Sequence, residues 1–98
     1  MAQAESRISR AIMTALRAEG YFCFKVHGSE HMMAGLPDII VCAEGRFIGL
    51  ETKRPTERFH TSKRQDYVHE LIAAAGGKAY VVTSVQEALE AVREALSA

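Results

Sequence analysis

Apolar residues recur along the chain at two kinds of spacing, and these spacings predict seven elements of secondary structure. Ile8, Ile12 and Leu16 lie on one face of an amphipathic helix over about residues 4–18. The same spacing recurs after Ser62 and after Ser84. Runs rich in β-branched and aromatic residues predict strands, at 21–26, 39–42, 47–53 and 79–82. The order αβββαβα predicts an α/β fold with a mixed β-sheet flanked by helices.

Two carboxylates belong to a hairpin that the second and third strands are expected to form. Residues 43–46 have turn character, so these strands should pair antiparallel. Asp38 precedes the first of them and Glu51 lies near the end of the second. Because these positions lie at the same end of an antiparallel pair, we expect the two carboxylates to converge. Side chains alternate along a strand, so Lys53 shares the face of Glu51.

Two carboxylates and a lysine are typical of a metal site that cleaves phosphodiester bonds. Magnesium and manganese prefer oxygen ligands, and magnesium often uses only one or two protein carboxylates. Such a metal activates water, and Lys53 is suited to orient the nucleophile or neutralise charge. The structural alternative is a same-face pair of Glu51 with Lys53 and a Pro37-Asp38 turn. Because both carboxylates end apolar strands, where unpaired charge is costly, the functional interpretation is favoured.

Three motifs together resemble a known nuclease family. They are Gly35-Leu36-Pro37-Asp38, Glu51-Thr52-Lys53 and, at a helix start, Ser62-Lys63-Arg64-Gln65. This combination is similar to the VRR-NUC (virus-type replication-repair nuclease) branch of the PD-(D/E)xK superfamily, over nearly the whole chain. The resemblance implies a restriction-endonuclease-like core and hydrolysis of DNA with Mg²⁺ or Mn²⁺. For short members it also implies Holliday-junction resolvase-like activity as a homodimer, with branched DNA as the partner.

The resemblance also implies roles for individual residues. Asp38 and Glu51 become metal ligands, the main-chain carbonyl of Thr52 a third ligand, and Lys53 the catalytic lysine. Two other functions stay open at this point. One is a flap, nicking or restriction-like nuclease, and the other is a non-catalytic DNA-binding module on the same fold.

Glu5 and Gln65 match flanking acidic and glutamine positions of the family, and each has a structural alternative. Glu5 is placed for a catalytic or water-mediated metal contact at the upper end of the first helical stripe. It is equally a first-turn acid favoured by the helix dipole. Gln65 forms a capping box with Ser62, but its position before the apolar stripe also lets it lean towards the site.

The chain has no net formal charge, but its charged residues are unevenly distributed along the sequence. Twelve basic and twelve acidic residues argue against a generally basic protein that coats nucleic acid. Basic side chains nevertheless crowd the loop after Lys53 and the helix start that follows. The candidate DNA contacts are Lys25, Arg54, Arg58, Lys63 and Arg64. The alternative for the loop is an ordinary solvated segment.

Length, hydropathy and cysteine content limit the classes of protein to which this chain can belong. Ninety-eight residues, about half of them apolar, suit one domain over 1–98 with a single core. No apolar run reaches membrane-span length and no signal core begins the chain, so we expect a soluble, cytoplasmic protein and no membrane partner. Cys23 and Cys42 lie in predicted strands without zinc-binding spacing, which predicts two buried, reduced thiols.

Overall fold

Within residues 2–97, three α-helices and four β-strands follow one another in the predicted order αβββαβα. The computed structural model describes the backbone of residues 2–97 and the side chains of residues 7–97. The elements are α1 (Ala2–Ala18), β1 (Phe22–Lys25), β2 (Ile39–Ala43), β3 (Arg46–Thr52), a short 3-10 turn (Pro55–Glu57), α2 (Lys63–Ala74), β4 (Lys78–Val82) and α3 (Val85–Ser97). Across that described span, no helix combines the length and the apolar content needed to cross a membrane.

The strands form one mixed sheet in the order β1-β2-β3-β4. β2 pairs antiparallel with both β1 and β3, whereas β4 lies parallel to β3 after the crossover through α2. The register places Ile39 opposite Leu50. Asp38 and Glu51, one position further along the ladder, are therefore neighbours, as the hairpin prediction requires.

The two faces of the sheet are covered by different helices. On one face, side chains such as Val41, Ile48 and Leu50 pack with α1 and α3 into the main core, which includes Ile12 and Val92. Each of these side chains is fully buried, which contributes roughly 1.5–3 kcal/mol for each large one. The opposite face carries α2, and a β-carbon on Gly49 of β3 would lie 3.7 Å from Ile72 of α2. Glu51 lies on this second face because it alternates with Leu50.

Part of the second face is open to solvent at β1 and β2. Phe22 and Phe24 of β1 are 66% and 45% exposed, and their ring centroids lie 6.0 Å apart. Cys42 of β2, which pairs with Phe22, is exposed as well. The prediction of a buried thiol is confirmed for Cys23 but wrong for Cys42. Membership of a strand did not reveal which face that strand turns to solvent.

Candidate active site

The carboxylate of Asp38 is held from the end of β3. Its Oδ2 accepts hydrogen bonds from both the backbone N–H and the hydroxyl of Thr52, each at 2.8 Å. The Asp38 carbonyl accepts a hydrogen bond from the backbone N–H of Val26 at 2.7 Å, which ties this segment to the end of β1. Oδ1 lies 3.9 Å from the Lys25 ammonium. One oxygen is thus fixed to the scaffold, while the other lies next to a cation.

Two glycines let the segment before Asp38 pack closely. A β-carbon on Gly49 would lie 2.6 Å from Cγ of Pro37, so only glycine lets Pro37 sit over β3. Gly35 has a φ of +87°, and a β-carbon there would lie 2.8 Å from the carbonyl oxygen of Arg64 in the first turn of α2. The Gly35-Leu36-Pro37-Asp38 motif is therefore wedged between β3 and α2, which fixes where the aspartate points.

Glu51 is a buried carboxylate with one satisfied oxygen. The residue is only 3% exposed, and its Oε2 accepts a hydrogen bond from Gln65 Nε2 at 2.9 Å. The Lys53 ammonium lies 3.7 Å from the same oxygen. Oε1 is buried and has no hydrogen-bond partner among the described residues. Burial and the nearby Asp38 carboxylate raise the pKa of Glu51 to about 8, although Lys53 acts in the opposite direction.

This donor set suits a hard divalent cation. An unpartnered buried carboxylate oxygen is costly, and a nearby second carboxylate adds repulsion that a cation relieves. Among the described side chains, no group of three His, Cys, Asp or Glu residues comes together. The carboxylate pair would therefore rely on the main-chain carbonyl of Thr52 and on water for its remaining ligands. The side chain of Glu5, the predicted water-mediated contact, lies outside the described residues.

Gln65 serves two purposes with different atoms. Its backbone N–H donates to Ser62 Oγ at 3.0 Å and its Oε1 accepts from the Ser62 N–H at 2.9 Å, which completes a capping box at the start of α2. Its Nε2 simultaneously donates to Glu51. The structural and the site-directed interpretations are thus compatible, because the cap fixes the side chain that reaches the carboxylate.

Ser9 of α1 is a site neighbour that the sequence pattern alone did not indicate. The residue is 1% exposed, and its hydroxyl lies 3.3 Å from that of Thr52, which in turn donates to Asp38. The sequence feature that indicates burial of Ser9 is its position three residues before Ile12 and seven before Leu16, on the buried stripe of α1. A serine at such a position needs a hydrogen-bond partner in the core.

Arg54 and Arg58, two of the predicted DNA contacts, already have acidic partners. Arg54 Nε lies 3.1 Å from Glu57 Oε1. Arg58 donates to both carboxylate oxygens of Glu87 and, at 3.1 Å, to the hydroxyl of Thr83. Hydrogen bonding to Arg58 is the main reason why the pKa of Glu87 falls to about 2. Arg58 thus fastens the loop after β3 to the start of α3.

The other candidate DNA contacts differ in whether their side chains already have partners within the protein. Lys63 is exposed and forms no hydrogen bond or ion pair with any described side chain. Arg64 donates to the carbonyl of Ala34 at 3.3 Å and lies over the ring of Tyr67, 5.7 Å from its centroid. Lys25 faces Asp38. A contact with phosphate stays a prediction for each of them, and Lys63 is the most accessible.

Comparisons with known proteins agree on the fold. No protein-family model and no curated protein sequence matches the chain. A solved structure described as a VRR_NUC domain is similar over 92% of this chain and 95% of that one, with 22% identity and a TM-score of 0.69. Hjc, a Holliday junction resolvase from the archaeal hyperthermophile Archaeoglobus fulgidus, is similar over 81% of this chain and 67% of its own, with 21% identity and a TM-score of 0.63. The predicted likeness to VRR-NUC domains is thus confirmed at the level of the fold, which is a restriction-endonuclease-like α/β core.

Proposed function

We propose that the protein is a divalent-metal-dependent endonuclease that hydrolyses DNA. The observation that carries this proposal is the buried Glu51 carboxylate, which has an unpartnered oxygen beside Asp38 and Lys53. A carboxylate kept for stability would have both oxygens paired, since burying an unsatisfied one is destabilising. A fold shared with a VRR_NUC domain and with a Holliday junction resolvase supports a nuclease.

Each residue of the cluster has a role in this proposal. Asp38, Glu51 and the main-chain carbonyl of Thr52 would hold a magnesium or manganese ion. When bound, the ion supplies charge stabilisation at the phosphate and a water of lowered pKa. Lys53, with its ammonium 3.7 Å from Glu51, donates hydrogen bonds to a phosphate oxygen or to the attacking water. Gln65 orients Glu51 through its 2.9 Å hydrogen bond.

Branched DNA and a homodimer are the substrate and assembly that we infer. Resolving a four-way junction takes two symmetry-related cuts, which two copies of a one-site chain would supply around a two-fold axis. The open face of the sheet supports such an assembly. Phe22, Phe24 and Phe47 expose on the order of 300 Å² there, a substantial part of the ~800 Å² that each partner contributes to a typical interface. Phe47 also borders an apolar groove of about 330 Å³ that Met33 and Leu71 line.

Cleavage of three labelled DNA forms tests the proposal. A four-way junction, a flap and a matched duplex would be incubated with wild type, Asp38→Asn and the exposed control Glu70→Gln, in magnesium, manganese or chelator. We expect metal-dependent cleavage of the junction that Asp38→Asn abolishes and Glu70→Gln retains. Preferential cleavage of the flap or the duplex would favour a flap, nicking or restriction-like nuclease instead. Binding of branched DNA without any cleavage would favour the non-catalytic module.

A further inference from the structure

Phe59 is the most exposed large hydrophobic residue among the described side chains, at 87%. It lies in the loop of residues 53–62, which joins β3 to α2. A single exposed hydrophobic residue is ordinary at a protein surface, so exposure by itself implies no function. The setting of Phe59 distinguishes it from the other exposed aromatic residues.

The backbone on either side of Phe59 is firmly held. Arg58, its predecessor, donates three hydrogen bonds to Glu87 and Thr83. The backbone N–H of His60, its successor, donates to the carbonyl of Glu57 at 2.9 Å. The ring is therefore presented to solvent from an ordered loop. Binding through it would avoid much of the entropy cost of ordering a mobile segment.

The loop that carries Phe59 begins and ends at the candidate active site. It leaves β3 at Lys53, beside Glu51, and it leads into Gln65, which donates to Glu51 at 2.9 Å. Phe59 lies six positions along the chain from each of these residues, so the chain keeps it within about 20 Å of both. One turn of duplex DNA is about 34 Å long. Val81, which pairs with Glu51 in the sheet, also lines the cleft beside Phe59, so DNA bound at Glu51 lies close to this ring.

A cleft of about 360 Å³ lies beside Phe59 and has the chemistry that suits a nucleobase. Phe59 and Val81 supply apolar surface. Thr61 donates a hydrogen bond to one carboxylate oxygen of Asp66 at 2.7 Å, and the second oxygen of Asp66 stays outside that bond. A base can stack on an aromatic ring and place its amino groups near a carboxylate. Bases within an intact duplex are stacked on both sides, so a base at a branch point, where stacking is interrupted, reaches such a surface at a lower cost.

We propose that Phe59 stacks on a base that a DNA branch point leaves unstacked, and that it makes the protein prefer branched DNA to a fully paired linear duplex. The proposal rests on the proposed nuclease function, because it adds a substrate preference to that activity. Stacking itself requires only that DNA binds across the site. Phe59 is accordingly a specificity residue, and cleavage of a fully paired duplex does not depend on it.

The test measures DNA binding in the Asp38→Asn background, in which cleavage cannot deplete the substrate. The probes are a flap with 2-aminopurine at its first unpaired position and a fully paired duplex of the same length. We expect Phe59→Ala to weaken flap binding about tenfold and to abolish the change in 2-aminopurine fluorescence on binding. Duplex affinity should stay within about twofold, because stacking on an accessible base is the only contact removed.

Two variants separate stacking from a disturbed loop. Phe59→Trp should restore flap affinity, since indole also stacks. Thr56→Ala, an exposed position in the same loop, should leave affinity for both DNA forms unchanged. Equal loss of flap and duplex affinity, or no loss with Phe59→Ala, would overturn the proposal, and a protein partner would then better explain the exposed ring. Absence of cleavage by wild type would instead count against the nuclease function alone, because the binding comparison does not require cleavage.

Discussion

Replacing Glu51 with glutamine should stabilise the metal-free protein. Burial and Asp38 raise the pKa of Glu51 from 4.5 to about 8, so folding at neutral pH requires the uptake of a proton. At pH 7 this costs on the order of 3 kcal/mol relative to an unfolded chain in which the carboxylate is ionised. Glutamine avoids the cost, since its amide is neutral, retains an acceptor for Gln65 and has a donor for Asp38.

The stability gained by replacing Glu51 with glutamine depends on pH in a characteristic way. Because the folded protein binds the proton more tightly than the unfolded chain, wild type loses stability as pH rises from about 4.5 through 8. The advantage of Glu51→Gln should therefore be near zero at pH 4.5 and reach roughly 5 kcal/mol above pH 8. The difference in free energy of unfolding between variant and wild type at each pH cancels the contributions of the other titrating groups, which both proteins share.

Urea denaturation in chelator, at several pH values between 4.5 and 8.5, measures this difference. Glu70→Gln, the same change at an exposed position, should leave stability unchanged to within about 0.5 kcal/mol at every pH. Magnesium should stabilise wild type and not Glu51→Gln, because only the native carboxylate pair binds it strongly. A stability difference that stays constant with pH, or a Glu51→Gln protein less stable than wild type throughout, would refute the reasoning.

Four further perturbations follow from the contacts around the site and the loop beside it. Ser9→Ala should lower stability by about 1 kcal/mol and reduce turnover several-fold with KM unchanged, as measured by denaturation and steady-state kinetics. Gly49→Ala should cost about 1–3 kcal/mol and reduce cleavage, since its β-carbon would displace Pro37; Gly28→Ala, which meets open space, is the control. Lys63→Ala should reduce by about 0.9 the slope of the logarithm of the duplex binding constant against the logarithm of salt concentration. Arg58→Ala should chiefly lower the melting temperature of the protein. An unchanged slope for Lys63→Ala would count against its phosphate contact.

The arrangement of Asp38 and Glu51 was predictable because local rules fix it. Runs rich in β-branched and aromatic residues predicted β2 and β3, and the short turn between them placed Asp38 and Glu51 at the same end of the hairpin. The observed register makes the two carboxylates neighbours. The sequence indicated a capping-box role and a site-directed role for Gln65 as alternatives, and the structure shows that its side chain makes both contacts. The proposed catalytic roles of these residues remain predictions.

Contacts between distant segments were not predictable from the local pattern. Arg58 was grouped with basic residues for DNA, yet its partner Glu87 lies 29 positions later and only the tertiary fold brings them together. Cys42 was expected to be buried because its strand is apolar, but its side chain lies on the part of the sheet that is open to solvent. Ser9 was overlooked because its partner Thr52 belongs to a different element.

Manganese binding is the most direct test of Asp38 and Glu51 as a metal site. Titration of the purified protein with Mn²⁺, followed by electron paramagnetic resonance of the free ion, measures binding without reference to any DNA substrate. We expect wild type and Glu70→Gln to bind manganese and Asp38→Asn to lose most of its affinity, since one of the two carboxylates is removed. Wild type that binds no manganese, or Asp38→Asn that binds it as tightly as wild type, would contradict the assignment.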